Sequence, residues 1–308
     1  MKPATAALAA ALALDVGVGE GPLRWHPVAG LGSWLQALHR PLPGRSRRTQ
    51  LVGGALALGE VTAIVGMGAH LLARDATRRG LLGMAVMASV LKWTFSARML
   101  LEEAIAVASA LECADLTAAR RRLRSLVSRP VGQLEPDLLA SAAIESLAEN
   151  LSDSIVAPLL YYAAFGLPGA AVYRVVNTAD AMYGYHGDTE WLGKAAARTD
   201  DVLNWLPSRL SAALLVLASA TQGWPASRAA ITCWRRDAAT TASPNAGRPM
   251  AAMAGALRRR LEKQGHHVLG ADQPRPTAAD VRRAARLTGL AAAGASVVTA
   301  VLIEMRKR

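Results

Sequence analysis

The sequence predicts an all-α fold, a polytopic integral membrane helix bundle with amphipathic connecting helices. Three observations lead there. First, 52% of the 308 residues are hydrophobic and only 19% are charged, below the roughly 25% usual in soluble domains. Second, the apolar residues gather into long runs and do not alternate, so no β-strand period is present. Third, mean hydropathy is +0.21, and ionisable residues sit inside the apolar runs, where a bundle interior rather than lipid would receive them.

The elements follow in chain order. Residues 4–18 are Ala-rich and follow Lys2, as a secretory signal would, but Asp15 inside the run argues for a retained first helix. Residues 51–73 form a longer run carrying Glu60 and His70, and residues 80–101 another carrying Lys92 and Arg98. Runs at 155–176, 202–221 and 286–303 complete the set. Crossing a bilayer takes about 20 residues, so four to six spans are expected. The arginine-bearing stretches 112–129 and 275–286 read as amphipathic connectors. Residues 237–250, with two prolines and Gly247, read as a loop. One membrane domain over residues 1–308 accounts for all of this, and Arg306-Lys307-Arg308 favours a cytoplasmic C-terminus.

The formal charge of +12 is mostly arginine. It suits anionic lipid headgroups or phosphorylated ligands. It does not indicate nucleic acid, because the arginines are scattered and no zinc-finger or RNP-type motif accompanies them. Cys113 and Cys233 lie far apart without CxxC or Cys/His companions and read as small buried hydrophobes. His266-His267 reads as a surface pair. No GxxxxGK[ST], HExxH or GxSxG occurs. The stretch from Gly187 to Gly193-Lys194 has one residue too many for a P-loop and ends on alanine.

Chemistry concentrates in short polar stretches beside apolar sequence. In "ESLAENLSDSIVAPLLYY", residues 145–162, Glu145, Glu149 and Asp153 are four apart and share a helix face, with Asn150 beside them and Pro158 interrupting the helix. Asn177 and Asp180 are three apart on a helix ending near Gly184. Asp200 and Asn204 share a face, Asp201 adjoins them, and Pro207 precedes Arg209. Carboxylates from several helices suit Mg²⁺, which takes few carboxylates and completes its shell with phosphate and water. Glu149, Asp153, Asp200 and Asp201 are the metal candidates. Arg174, Arg198 and Arg209 suit bidentate phosphate recognition. The plainer alternative pairs each carboxylate with an arginine to hold helices together. His26, alone, reads as a capping or packing residue.

Taken in order, these elements resemble the CobD/CbiB family of cobalamin biosynthesis, the adenosylcobinamide-phosphate synthases of the bacterial membrane. The resemblance rests on Asp15 with His26-Pro27-Val28; Lys92, Phe95 and Arg98; Glu145-Ser146, Glu149-Asn150 and Asp153; and Ala157-Pro158. It continues through Tyr173-Arg174, Asn177-Thr178, Asp180-Ala181-Met182 and Gly184-Tyr185. Arg198, Asp200-Asp201-Val202, Asn204, Pro207, Arg209, Ser243-Pro244-Asn245 and Met253-Ala254-Gly255-Ala256-Leu257 close it. Departures are Ser154 where the family has glycine, Thr199 where it has leucine, Thr240-Thr241-Ala242 where a basic pair is usual, and Met250 where glutamate is usual.

The resemblance implies ATP-dependent amide formation between aminopropanol phosphate, or free aminopropanol, and a propionate carboxylate of adenosylcobyric acid, with Mg²⁺ and ATP required. It implies a multi-pass protein of the bacterial inner membrane, working as a homo-oligomer or beside other cobalamin enzymes. Glu145, Glu149, Asp153, Asp180 and Asp201 are then the catalytic candidates. His26, Lys92, Arg98, Asn150, Arg174, Asn177, Arg198, Asn204, Arg209, Ser243 and Asn245 are the binding candidates. Glu149, Asp180 and Asp201 are expected to converge at the lipid–water border. A transporter of an anionic ligand and a non-catalytic membrane scaffold are the competing classes.

Overall fold

The computed structural model describes residues 2–20, 27–38, 46–183 and 190–306, and over these the regular structure is helical apart from one two-stranded hairpin. Four helical segments are long and apolar enough to cross a membrane: Arg47–Ala76, Gly80–Glu112, Pro136–Tyr183 and Ala278–Met305; Glu190–Leu203 and Trp205–Gln222 make a fifth if they count as one span. The expectation of a polytopic helical membrane protein holds. The chain divides into two compact units, 1–96 with 157–204 and 298–308, and 97–156 with 205–297.

The first unit contains α1 (Pro3–Gly17), α2 (Pro27–Leu38), α3 (Arg47–Ala76), α4 (Gly80–Lys92), α8 (Ala157–Tyr183) and α9 (Glu190–Leu203). At 15 residues, α1 reaches about 22 Å, short of a bilayer core. By contrast α3 has 30 residues, about 45 Å, and Val52, Leu56, Ile64, Met67 and Leu71 are exposed along it, as lipid-facing side chains would be. Its other face joins Leu35, Leu58, Val61, Val175, Val176, Ala179, Tyr183 and Ala196 in one core. Membrane helices gain little from hydrophobic burial and associate through close backbone approach at small residues. Gly54 and Gly193 show this: an added Cβ would lie 2.0 Å from the Leu192 carbonyl oxygen and 1.9 Å from that of Tyr183, respectively.

The second unit contains α5 (Ala97–Glu112), α6 (Leu116–Leu123), α7 (Pro136–Leu151), α10 (Trp205–Ser219), α11 (Trp224–Asp237), α12 (Gly247–Leu257), the hairpin β1 (Leu261–Lys263) and β2 (His267–Leu269), and most of α13 (Ala278–Met305). After α7 the chain makes a π-helical turn over Ser152–Val156. Pro158 has no N–H for the Ser154 carbonyl, and a wider turn directly before it absorbs the mismatch. A second break falls inside α8 at Gly166, φ 70°, two residues before Pro168.

Several expectations are revised. The 80–101 run is broken after Lys92, and α5 starts at Ala97. The amphipathic stretch from 275 and the apolar run at 286–303 merge into one helix, α13. The 237–250 loop shrinks to 238–246, because α12 already begins at Gly247. Cys113 is exposed, whereas Cys233 is buried. The hairpin pairs Leu261 with Leu269 and Lys263 with His267. Its strands of 3 residues are too short to show a period in sequence.

Asp237 ties the hairpin to α11. It accepts from Arg236 Nε (2.6 Å), from the Gly270 N–H (2.7 Å) and from Cys233 Sγ (3.3 Å). Burial pushes its carboxyl up, but these hydrogen bonds outweigh burial and hold it below the ordinary carboxylate range. Burial first, then Asp237, pushes the Cys233 thiol up to about 12, so it is an inert side chain.

Because the folded carboxyl of Asp237 titrates below its unfolded value near about 3.9, its stabilisation is present above that value and is lost as pH falls through the lower folded value. Asp237→Asn is expected to cost about 1–3 kcal/mol at neutral pH and to flatten the acid limb of a thermal-unfolding series below about pH 4. Gly54→Val is expected to destabilise the first unit by at least about 1–3 kcal/mol, read as earlier thermal unfolding in detergent.

Candidate functional site

Polar side chains cluster in each unit, and each cluster is described by itself. In the first unit, α8 and α9 carry Asn177 and Asp200 toward one another. Asp200 is buried. One of its oxygens accepts from Asn177 Nδ2 at 3.3 Å and the other from Asn204 Nδ2 at 2.9 Å. Asn204 in turn accepts from the Tyr173 hydroxyl at 2.9 Å, and Tyr173 stacks on Tyr161 at 5.3 Å. The Tyr161 hydroxyl donates to the Leu203 carbonyl at 2.9 Å, where α9 ends. A carboxylate is thus oriented by two carboxamides, one of them fixed by a buried phenol.

Around it, Asp201 is half-buried and lies 3.8 Å from Arg198, a loose contact. Arg174 Nη1 reaches Asn177 Oδ1 at 3.5 Å, and Asp180 sits half-buried on α8. Lys92, expected to hold phosphate, is buried; its Nζ lies 3.0 Å from Asp15 and 2.6 Å from Glu20. The ammonium is spent on two carboxylates and serves as a structural ion pair. His26 lies outside the described residues.

In the second unit, the Glu145–Glu149–Asp153 face is not uniform. A step of four residues advances about 40° around a helix, enough here to take Glu145 into the interior and leave Glu149 exposed. Glu145 is held on both oxygens: Oε2 accepts from Arg129 Nη2 at 3.1 Å, and Oε1 lies 3.0 Å from His267 Nε2. It anchors the helix through one partner on each oxygen. His267 is therefore an interior side chain, 8% exposed, and not half of a surface pair. Asn150 Nδ2 donates to the Ser146 carbonyl and lies 3.1 Å from Ser146 Oγ, while Ser154 Oγ donates to Asn150 Oδ1 at 3.0 Å. Ser154 thereby ties the π-helical turn to α7. Asp153 is half-buried within that turn.

The remaining candidates have local partners. Arg98 donates to Glu102 at 2.6 Å on the surface of α5. Arg209 donates to the Trp205 carbonyl and stacks over the Trp205 ring at 4.2 Å. Ser243 Oγ accepts from the N–H groups of Asn245 and Ala246, and Ser208 Oγ donates to Asn245 Oδ1 at 3.4 Å. Glu149 belongs to the second unit, and Asp180 and Asp201 to the first.

Among the described residues, no three His, Cys, Asp or Glu side chains gather to hold a metal ion. An all-protein cage is thus absent from them, but Mg²⁺ needs only one or two carboxylates when phosphate and water complete its octahedron. The donor set around Asp200 fits that demand. Its carboxylate is buried, its recorded partners are neutral carboxamides, and Asp201 adjoins it.

A family model described as CobD/Cbib protein matches residues 8–292. Three relatives are named cobalamin biosynthesis protein CobD. That from Dehalococcoides mccartyi is 40% identical over 263 residues, covering 85% of each chain. That from Chromobacterium violaceum is 39% identical over 311 residues, covering 95% of this chain and 96% of its own. The Rhodobacter capsulatus protein is 38% identical over 285 residues, covering 89% and 88%. No solved structure matches the chain.

Lys92→Met is expected to destabilise the protein by about 3–5 kcal/mol, because it strands the buried Asp15 and the half-buried Glu20. Arg98→Ala, which breaks an exposed pair, is expected to cost no more than about 0.5 kcal/mol. Thermal unfolding of the two variants in the same detergent makes the comparison.

Proposed function

From the premise that this chain belongs to the CobD/CbiB family of cobalamin biosynthesis, we propose that it is an adenosylcobinamide-phosphate synthase. It joins the amine of aminopropanol phosphate, or of free aminopropanol, to a propionate carboxylate of adenosylcobyric acid. ATP is the co-substrate, and the bacterial inner membrane is its location.

The observation that carries the reading is Asp200. Burying an ionised carboxylate costs heavily unless a cation accompanies it, and here the recorded partners are the side-chain amides of Asn177 and Asn204. Such a carboxylate is held ready for a cation that arrives with the substrate. Asp201 and Asp200 are the side chains that would hold Mg²⁺ in this unit, and the ion would supply charge neutralisation on the transferred phosphoryl group. Arg174 and Arg198 lie on the same two helices and serve phosphate oxygens.

The chemistry sets the remaining demands. A carboxylate is a poor electrophile, so the propionate oxygen first attacks the γ-phosphorus of ATP, giving an acyl phosphate and ADP. The amine then attacks the acyl carbon, the C–O bond breaks, and inorganic phosphate leaves. The amine arrives as an ammonium and must lose protons. Glu149, the exposed carboxylate of α7, is the group assigned to accept one. Glu145, held by Arg129 and His267, is assigned to placing α7.

Broken helices such as the one at Ser152–Val156 and Gly166 also occur at translocation sites, so the test separates the two classes. Purified protein in detergent, given adenosylcobyric acid, aminopropanol phosphate, Mg²⁺ and ATP, is expected to form the amide and release phosphate in equal amounts. Glu149→Ala and Asp201→Ala are expected to lower turnover by at least about 10²-fold while the protein stays in the membrane fraction. Full turnover in either variant refutes its assignment. Corrinoid flux into vesicles without amide formation favours transport.

A further inference from the structure

We propose that His267 is a positioning residue for the reacting face of α7, acting through Glu145. The inference rests on the reading of Glu149 and Asn150 as part of the synthase machinery, and it assigns a role to a side chain that the sequence motifs do not include.

The geometry is that of a clasp. Ser141 and Glu145 are one turn apart on α7, and the hairpin meets both. The Glu262 N–H on β1 donates to Ser141 Oγ at 2.7 Å, and Ser141 Oγ donates back to the Glu262 carbonyl at 3.4 Å. One turn further, His267 on β2 meets Glu145 at 3.0 Å, with Arg129 on the other carboxylate oxygen at 3.1 Å. Two polar ties on successive turns fix a helix in both rotation and axial register, which apolar packing does less sharply. The next turn of the same face carries Glu149 and Asn150, where the π-helical turn begins.

The choice of imidazole has a physical reason. Arg129 already supplies the positive charge that buried Glu145 requires. A second full cation would leave an excess charge inside the protein, whereas a donor that can be neutral satisfies the other oxygen without one. The role therefore needs a hydrogen-bond donor at the position of Nε2 and does not need a titrating group. For stability alone, an apolar pair of the same volume would do as well or better. What the clasp adds is a single placement of α7, and displacements near 1 Å at reacting groups cost about 10²-fold in rate.

The test compares His267→Ala with His267→Gln, whose side-chain amide can donate from nearly the same place. In the amide-forming assay, His267→Ala is expected to lose about 10²-fold in kcat, with KM for the amine changed by less than about 3-fold, and His267→Gln to restore most of that loss. Asp237→Asn, which weakens the same hairpin away from α7, is the stability control and is expected to keep its kcat at temperatures where it is folded. Hydrogen exchange read over residues 138–151 does not depend on turnover. It is expected to quicken in His267→Ala and to stay near wild type in His267→Gln. Wild-type kcat and exchange in His267→Ala overturn the proposal, as does a His267→Gln variant as impaired as His267→Ala. If the wild-type protein forms no amide while exchange separates the two variants as expected, the synthase reading fails and the clasp on α7 stands.

Discussion

A carboxylate withdrawn from water must be met by donors, and the helices of this chain are arranged around such meetings. Five acidic side chains are buried among the described residues: Asp15, Glu145, Asp200, Asp237 and Asp280. Asp15 faces Lys92, Glu145 faces Arg129 and His267, Asp237 faces Arg236 and the Gly270 N–H, and Asp280 faces Arg259 and Arg283. In a membrane protein these pairs do more than in water, because helix surfaces gain little from apolar contact with one another when lipid is the alternative. Asp15 and Lys92 join α1 to α4, while Glu145 and Asp280 tie their helices to the hairpin and to non-helical segments.

Against that background Asp200 differs in kind. Its partners are neutral carboxamides, and one of them, Asn204, is itself positioned by a buried phenol. Structural carboxylates here are closed by cations, whereas this one is oriented and left charge-hungry. On α7 it is burial that separates Glu145 from Glu149. One is locked on both oxygens and sets the helix; the other is exposed one turn later.

The helix breaks follow from the same economy of backbone hydrogen bonds. Proline at 158 and 168 removes donors that lipid cannot replace, and the chain absorbs the loss by a π-helical turn in one case and by the positive φ of Gly166 in the other. Both breaks lie within the segment Pro136–Tyr183, which is long and apolar enough to span. Irregular backbone at such depth is tolerated where protein or a polar cavity receives it, and the polar side chains Asn150, Asp153 and Ser154 sit at the first of these breaks.

What the sequence determined by itself is the helical membrane class, the positions of the apolar runs, the interruption near Pro158 and the order of polar motifs that identifies the family. These are local or one-dimensional properties: hydrophobic period, run length and residue spacing survive without knowledge of what packs against what. Tertiary structure alone decided how each ionisable group is used. Glu145 and Glu149 share one face in a helical projection, yet Glu145 is buried and clasped while Glu149 is exposed, because the partners of Glu145, Arg129 and His267, come from 16 and 122 residues away. Lys92, a binding candidate in sequence, is surrounded by Asp15 and Glu20, and His267, which reads as surface, is carried inward by a hairpin too short to have a period. Pairing such as that of Glu145 with His267 or of Lys92 with Asp15 is a property of long-range proximity, and no local pattern in the chain encodes it.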